Sequence, residues 1–156
     1  KEMLNPNQTN FCTGVAGYPE KHMEAPSMES DIHFLKKKIK AGANYIITQM
    51  FFDNKKFFSF EKKCREEGIK VPIIPGLKPI SILKHLNTLP HRFHVDLPEP
   101  LIKEIIKCKT RDSIRQVGIE WCIEQSKELK DFNVPFLHYY SMGKSDNIKR
   151  IASAIF

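Results

Sequence analysis

Nothing in these 156 residues is apolar for long enough to cross a bilayer. A spanning helix needs about 18 to 20 consecutive apolar residues, and the opening Lys1-Glu2-Met3-Leu4-Asn5 carries no signal-peptide core either. Cysteine is scarce and scattered: Cys12, Cys64, Cys108 and Cys122 form no CxxC pair, which removes the usual zinc grip and the dithiol redox couple. The histidines His33, His91, His94 and His138 likewise lack metal-binding spacing, and no glycine fingerprint of a separate dinucleotide site is present. These absences predict a cytoplasmic protein with idle thiols and no metal, in which the sequon Asn7-Gln8-Thr9 is a chance match.

What is present has the composition of one globular domain over residues 1–156, with a polar lead-in over 1–12, since 41% of the chain is hydrophobic and 28% charged. The net charge of +7 suits an anionic partner such as a nucleotide phosphate or a polyglutamate tail. Many of the lysines, however, sit in helical patterns such as Lys36-Lys37-Lys38-Ile39-Lys40 and Glu61-Lys62-Lys63, where they make solvated helix faces. Being dispersed and without an aromatic stacking surface, they argue against a nucleic-acid partner.

Along the chain, strands and helices alternate. A strand of small and β-branched residues ends near Tyr18, before Pro19. Ser27 is the N-cap of a helix to about Lys40 with the stripe Ile32, Leu35 and Ile39, and Gly42 ends it. A second strand, Asn44 to Gln49, leads to a helix capped by Asp53 or Asn54 and stopped by Gly68; a third strand spans Val71 to Gly76. Helices over Ile80–Leu89 and Pro98–Lys107 flank a polar turn near His91 and His94. The longest helix, Thr110–Lys130, precedes a strand Val134–Tyr140 and a last helix from about Ser145.

That order predicts an α/β fold with right-handed crossovers and four parallel strands, half of an eight-stranded (β/α) barrel. Such a sheet has unpaired edges and is incomplete by itself, so the expectation is a fragment or a chain completed by another segment. The apolar run Tyr45-Ile46-Ile47 stops at Thr48-Gln49, delivering an amide to the rim where α/β enzymes place their chemistry. Gln49 is therefore the first candidate ligand contact.

The segments Gly17-Tyr18-Pro19-Glu20-Lys21-His22, Ala41 to Asp53, Ile74-Pro75-Gly76-Leu77-Lys78-Pro79-Ile80, Val117-Gly118-Ile119-Glu120 and Leu137-His138-Tyr139-Tyr140-Ser141 occur in this order. Together they closely resemble the C-terminal half of methylenetetrahydrofolate reductase. The resemblance implies strands five to eight of a (β/α)8 barrel, with FAD as cofactor and NAD(P)H as reductant. It also implies 5,10-methylenetetrahydrofolate as substrate and a homo-oligomer when complete. The family's catalytic acid and a flavin-side aspartate would lie upstream of Lys1, so no catalytic residue is expected in this segment.

The same resemblance implies site residues one by one. Gln49 would read the pteridine beside the flavin, and an amide, with both donors and an acceptor, suits such an edge. Tyr18, His22 and Ile47 would contact the flavin cofactor; Asp31 and Lys38, with Lys37 sharing the role, would reach its ribose and diphosphate. His85 stands where relatives have a folate-binding glutamine, and Leu89 where some have an aromatic ring. Phe34 replaces a common polar residue, and Ser141-Met142-Gly143-Lys144 replaces Thr-Leu-Asn-Arg, leaving Ser141 and Lys144 as candidates. A competing expectation is a half-barrel that pairs with itself and binds a nucleotide or folate without turnover.

Overall fold

The computed structural model describes residues 10–143 and 145–156; the sequon and Lys144 lie outside them. Four βα units follow one another: β1 (Gly14–Gly17), α1 (Met28–Lys40), β2 (Tyr45–Met50), α2 (Asn54–Glu66), β3 (Ile73–Leu77), α3 (His85–Phe93), α4 (Glu99–Lys107), α5 (Arg111–Asp131), β4 (His138–Tyr139) and α6 (Asp146–Ile155). All three strand pairings are parallel and the sheet order is β1-β2-β3-β4. Sequential order with helical crossovers is the topology of half a (β/α)8 barrel.

Local chemistry sets the boundaries. The Ser27 hydroxyl accepts from the Ser30 N–H at 3.2 Å, and Gly42, at φ +112°, takes the left-handed turn that ends α1. Asp53 caps α2 through the Lys55 N–H at 2.9 Å. Thr110 and Ser113 form a reciprocal capping box on α5.

Three boundaries depart from the sequence pattern. The helix expected over Ile80–Leu89 instead runs His85–Phe93, because Pro79 to Lys84 forms a looped connection off the strand, so His91 is helical and His94 is the left-handed C-cap. The expected strand Val134–Tyr140 reduces to His138–Tyr139, since only these two residues find ladder partners, Gly76 and Leu77. The third strand starts later, at Ile73, and runs on to Leu77.

The two faces of the sheet differ. Ile46, Ile73 and Leu77 point into a core closed by Phe57, Phe60, Ile119, Leu129 and Ile151 from the helices. A second cluster of Met50, Phe52, Ile80, Leu89, Leu101 and Ile114 lies under α3, α4 and α5 and supports the strand ends. On the other face, Ala16 is exposed and Ile47, Gln49, Ile74 and His138 are only half-buried, so no element among the described residues covers it fully. Parallel sheets normally have both faces covered.

A buried polar clamp joins α2 to α5. The Asn54 amide donates to the Gln125 main-chain carbonyl at 3.0 Å and to Glu128 Oε2 at 2.6 Å, while Gln125 Nε2 donates back to Asn54 Oδ1 at 3.2 Å. Removing one partner leaves buried groups unmet, so Asn54→Ala is expected to cost about 2 kcal/mol. Urea denaturation followed by circular dichroism checks this; an unchanged midpoint would remove the clamp from the stability account. The thiols of Cys64 and Cys122 are buried and pushed up to about 12 by desolvation, which leaves them as small core residues.

Candidate functional site at the strand ends

The C-terminal ends of the strands carry Tyr18 to Glu20, Gln49, Lys78 and Tyr140. An interruption in the sheet shapes this rim. The β2–β3 register shifts between Ile47 and Met50, and there the Gly76 N–H donates to Thr48 Oγ1 at 2.9 Å. The Thr48 carbonyl accepts from the Tyr140 hydroxyl at 2.9 Å. Such irregularities re-aim side chains beside sites, and this one falls next to Gln49. Glycine at 76 is required, because a Cβ there would lie 2.2 Å from the Thr48 carbonyl oxygen and 2.6 Å from the Tyr140 ring.

Two concavities open on the rim. The smaller one is lined by Tyr18, Glu20, Lys21, Gln49, His94 and Val95. Gln49 uses its carbonyl oxygen to accept from the Met50 N–H at 3.0 Å, and its amide hydrogens have no acceptor among the described residues. The larger cavity, of about 910 Å³, lies at the ends of β3 and β4, where Lys78, His85, Leu89, Arg115, Tyr140 and Ser141 line it. Phe93 borders both.

The residues expected to meet a cofactor separate into a rim group and a helix group. Tyr18 and His22 meet edge to face at 4.6 Å. The His22 N–H donates to Asp31 Oδ2 at 2.8 Å, and its Nδ1 accepts from the Glu24 N–H at 3.2 Å, so the loop after β1 is tied to the first turn of α1. Ile47 lies on the incompletely covered sheet face. Lys37 and Lys38 are exposed on the last turns of α1, with Lys37 Nζ 4.9 Å from the Phe34 ring centroid. Lys36 pairs with Glu67 at 3.3 Å, whereas Lys37 and Lys38 pair with no carboxylate among the described residues.

Glu20 enters the sequence reading only as part of the Gly17–His22 segment, with no role assigned to it, yet its side chain is only 9% exposed. Its Oε2 accepts from the Asp96 N–H at 2.9 Å and stands 3.8 Å from Lys56 Nζ, and its Oε1 is buried without a partner among the described residues. Desolvation, reinforced by the Asp96 carboxylate, raises its pKa from 4.5 to about 7. His85 moves oppositely: desolvation and the charge of Lys78 lower it from 6.5 to about 4, and its Nδ1 accepts from the Ser81 N–H at 3.3 Å. The Nε2 of this neutral imidazole therefore carries the proton.

These shifts act oppositely on stability. A raised carboxyl contributes fully below its ordinary pKa and loses that contribution as pH rises toward 7; a depressed histidine contributes above 6.5 and loses it as pH falls toward 4. Glu20→Gln should leave stability rising with pH across about 4 to 6.5, and His85→Gln should leave it falling across about 4.5 to 7. Thermal melts in a pH series check both, and parallel profiles for the two variants would contradict the assignment.

Lys78, Arg92, Arg111, Arg115 and Tyr140 also escaped the sequence reading as site residues. Lys78 is set apart from the other lysines only by its burial at the rim, which no local pattern announces.

The described residues contain no helix long and apolar enough to cross a membrane. The sequence pattern described as methylenetetrahydrofolate reductase matches residues 2–155. The chain belongs to the methylenetetrahydrofolate reductase family. It is 36% identical over 147 residues to a probable methylenetetrahydrofolate reductase (NADPH) of Caenorhabditis elegans, covering 93% of this chain and 22% of that protein. It is 33% identical over 138 residues to the 5,10-methylenetetrahydrofolate reductase of Escherichia coli, covering 88% of this chain and 47% of that one. The chain thus spans between about a fifth and a half of these relatives. An uncharacterized protein from Clostridium thermocellum, whose structure binds two copies of 5-methyl-5,6,7,8-tetrahydrofolic acid, shares the fold with a TM-score of 0.64 at 22% identity, over 92% of this chain and 52% of that one.

Proposed function

We propose that this chain supplies the folate-binding half of a methylenetetrahydrofolate reductase, which reduces 5,10-methylenetetrahydrofolate to 5-methyltetrahydrofolate with NAD(P)H through FAD. The observation that carries the reading is Gln49, held at a strand end by the sheet irregularity with its amide donors unspent, one aromatic ring away from a cavity lined by His85 and Leu89. The amide reads a pteridine edge, the neutral imidazole donates from Nε2, and Leu89 contributes apolar wall.

The residues fit FAD. Tyr18 and Ile47 offer an aromatic and an apolar surface beside Gln49, and Asp31 with His22 forms a polar corner for ribose hydroxyls. Lys37 and Lys38 keep their charge unspent for a diphosphate. The chemistry a bound FAD supplies is hydride carriage between the nicotinamide and the folate. The chain's own part is to bind, orient and exclude water, and the acid that completes reduction belongs to other strands of the barrel.

The incompletely covered face and the sheet edges that find no further strand among the described residues support a partner segment carrying the remaining strands. The same face also favours a second reading, self-association of two copies. Light scattering separates the two, since the first predicts a monomer until the partner strands are added. For the function itself, calorimetric titration with 5-methyltetrahydrofolate should show saturable one-site binding, and no heat change beyond dilution would overturn the reading.

A further inference from the structure

Gln49 and Glu20 line the same small concavity with opposite chemistry. The Met50 N–H can only donate, so it holds Gln49 Oε1 at 3.0 Å and leaves the amide hydrogens, which find no acceptor among the described residues, on the other side of the group. Glu20 is in the reverse condition. Its Oε2 accepts from the Asp96 N–H, while Oε1 is buried and finds no donor among the described residues, in a side chain only 9% exposed. Leaving a buried acceptor unmet costs the full desolvation of the group. A donor and an acceptor thus border one space without meeting each other.

The size of that space selects its occupant. About 10 Å³ is open to the centre of a water-sized sphere, and a single water needs roughly 10 to 15 Å³ by that measure together with two to four polar partners. A bare cation does not suit it, because the Gln49 amide presents hydrogens. Water also serves both protonation states of Glu20, which burial raises to about 7. It donates to the ionised carboxylate and accepts from the acid, and in either case it accepts from the Gln49 N–H.

The charges around Glu20 come from several elements. The Asp96 carboxylate, after α3, disfavours a second negative charge, while Lys56 on α2, itself near Asp53, favours it. Within the concavity, Tyr18 is kept neutral by burial and by Asp31, and Lys21 turns its ammonium to the His22 and Ala25 carbonyls. His94 is the remaining titratable group on the wall.

We infer that one water bridges Gln49 Nε2 to Glu20 Oε1, and that through it Glu20 is the positioning residue that aims the Gln49 amide. The bridge takes one of the two Gln49 N–H groups and leaves the other for a ligand. The positioning role rests on the folate reading, whereas the water site stands without it. Glu20 lies between Tyr18 and His22, so the same carboxyl ties the loop after β1 to the amide at the end of β2.

The test follows the Gln49 side-chain amide pair by nitrogen-15 NMR of the full chain, the pair being identified by its loss in Gln49→Leu. The expected spectrum shows a cross-peak from this pair to a long-lived water, and a shift with pH whose midpoint lies at about 7. That midpoint should vanish in Glu20→Gln and persist in His94→Asn, a substitution that suits the left-handed φ of +53° at this position. Glu20→Leu, which cannot hold the water, should bind 5-methyltetrahydrofolate about five- to tenfold more weakly, while Glu20→Gln, whose amide can, stays within about twofold of the parent. The spectra of the parent and Glu20→Gln decide the water site even if Glu20→Leu folds poorly. An amide pair that touches no water, or whose pH response is absent or survives Glu20→Gln, would overturn the inference and leave Glu20 as a clamp on Asp96. A water bridge in a chain that binds no 5-methyltetrahydrofolate would keep the site and remove the folate reading; folate binding without the bridge would do the reverse.

Discussion

Gly118→Ala is expected to cost more than about 3 kcal/mol and to disorder the rim before the rest of the chain. Gly118 is buried midway along α5, and a Cβ built on it would stand 1.9 Å from the Ile80 carbonyl oxygen and 2.7 Å from the Ile80 carbonyl carbon. Those are backbone atoms, which cannot step aside as the tip of a side chain can. Overpacking typically costs about 1 to 3 kcal/mol where neighbours can shift, and here the neighbour is the connection from Lys78 to His85. Ile80 is itself 1% exposed and part of the cluster that supports the strand ends. Pushing it away moves both Lys78 and His85. The variant should lose several degrees in thermal midpoint and nearly all affinity for 5-methyltetrahydrofolate, while far-ultraviolet circular dichroism at low temperature stays close to the parent. A midpoint within about one degree of the parent would show that α5 does not press on this connection as closely as described.

The second large effect is on recognition. Gln49→Leu keeps the volume and removes both amide donors, so the partner atoms of a pteridine would be desolvated without return. Leaving such groups unmet costs about 1 to 3 kcal/mol, which corresponds to a loss of roughly 30-fold in affinity for 5-methyltetrahydrofolate at the middle of that range. Gln49→Glu is expected to fall further for a ligand edge that needs a donor, because an ionised carboxylate only accepts. Neither change touches the core: Gln49 is half-buried, and its side chain's one hydrogen bond among the described residues is accepted from its neighbour's N–H. Calorimetric titration beside a melt of each variant separates affinity from stability. Full affinity in Gln49→Leu would move the pteridine elsewhere.

Much of this architecture was legible in the order of residues, for identifiable reasons. The stripe Ile32, Leu35 and Ile39 with Ser27 before it and Gly42 after it defines α1 by period and caps alone. The run ending at Gln49 has no other sensible home than a buried parallel strand. Where the pattern misled, long-range contacts decided. Only two residues of the last strand pair, because ladder bonds depend on where β3 ends, and that is not written near His138. Pro90 sits inside α3, so proline marked no boundary there.

The site was less legible than the fold. Gln49 stood out because polarity at a strand end is a local feature. Glu20 did not, because its burial comes from a loop 76 residues away that delivers the Asp96 N–H. Lys78 looked like one more lysine in a chain with a net charge of +7, and only its burial separates it from the solvated ones. Arg111 and Arg115 line the same cavity as Lys78 from α5, a helix that packs on the Lys78–His85 connection at Gly118 and Ile80, almost forty residues apart in sequence.

The most direct test is the flavin absorbance of the barrel completed by co-expressing this chain with the upstream half of a family member, recorded under anaerobic conditions. The account predicts that the complex retains FAD, that NADH or NADPH bleaches its absorbance, and that 5,10-methylenetetrahydrofolate restores it in the parent but only slowly in Gln49→Leu. A complex that retains no flavin, or whose reoxidation by the folate proceeds equally well without the Gln49 amide, would contradict it.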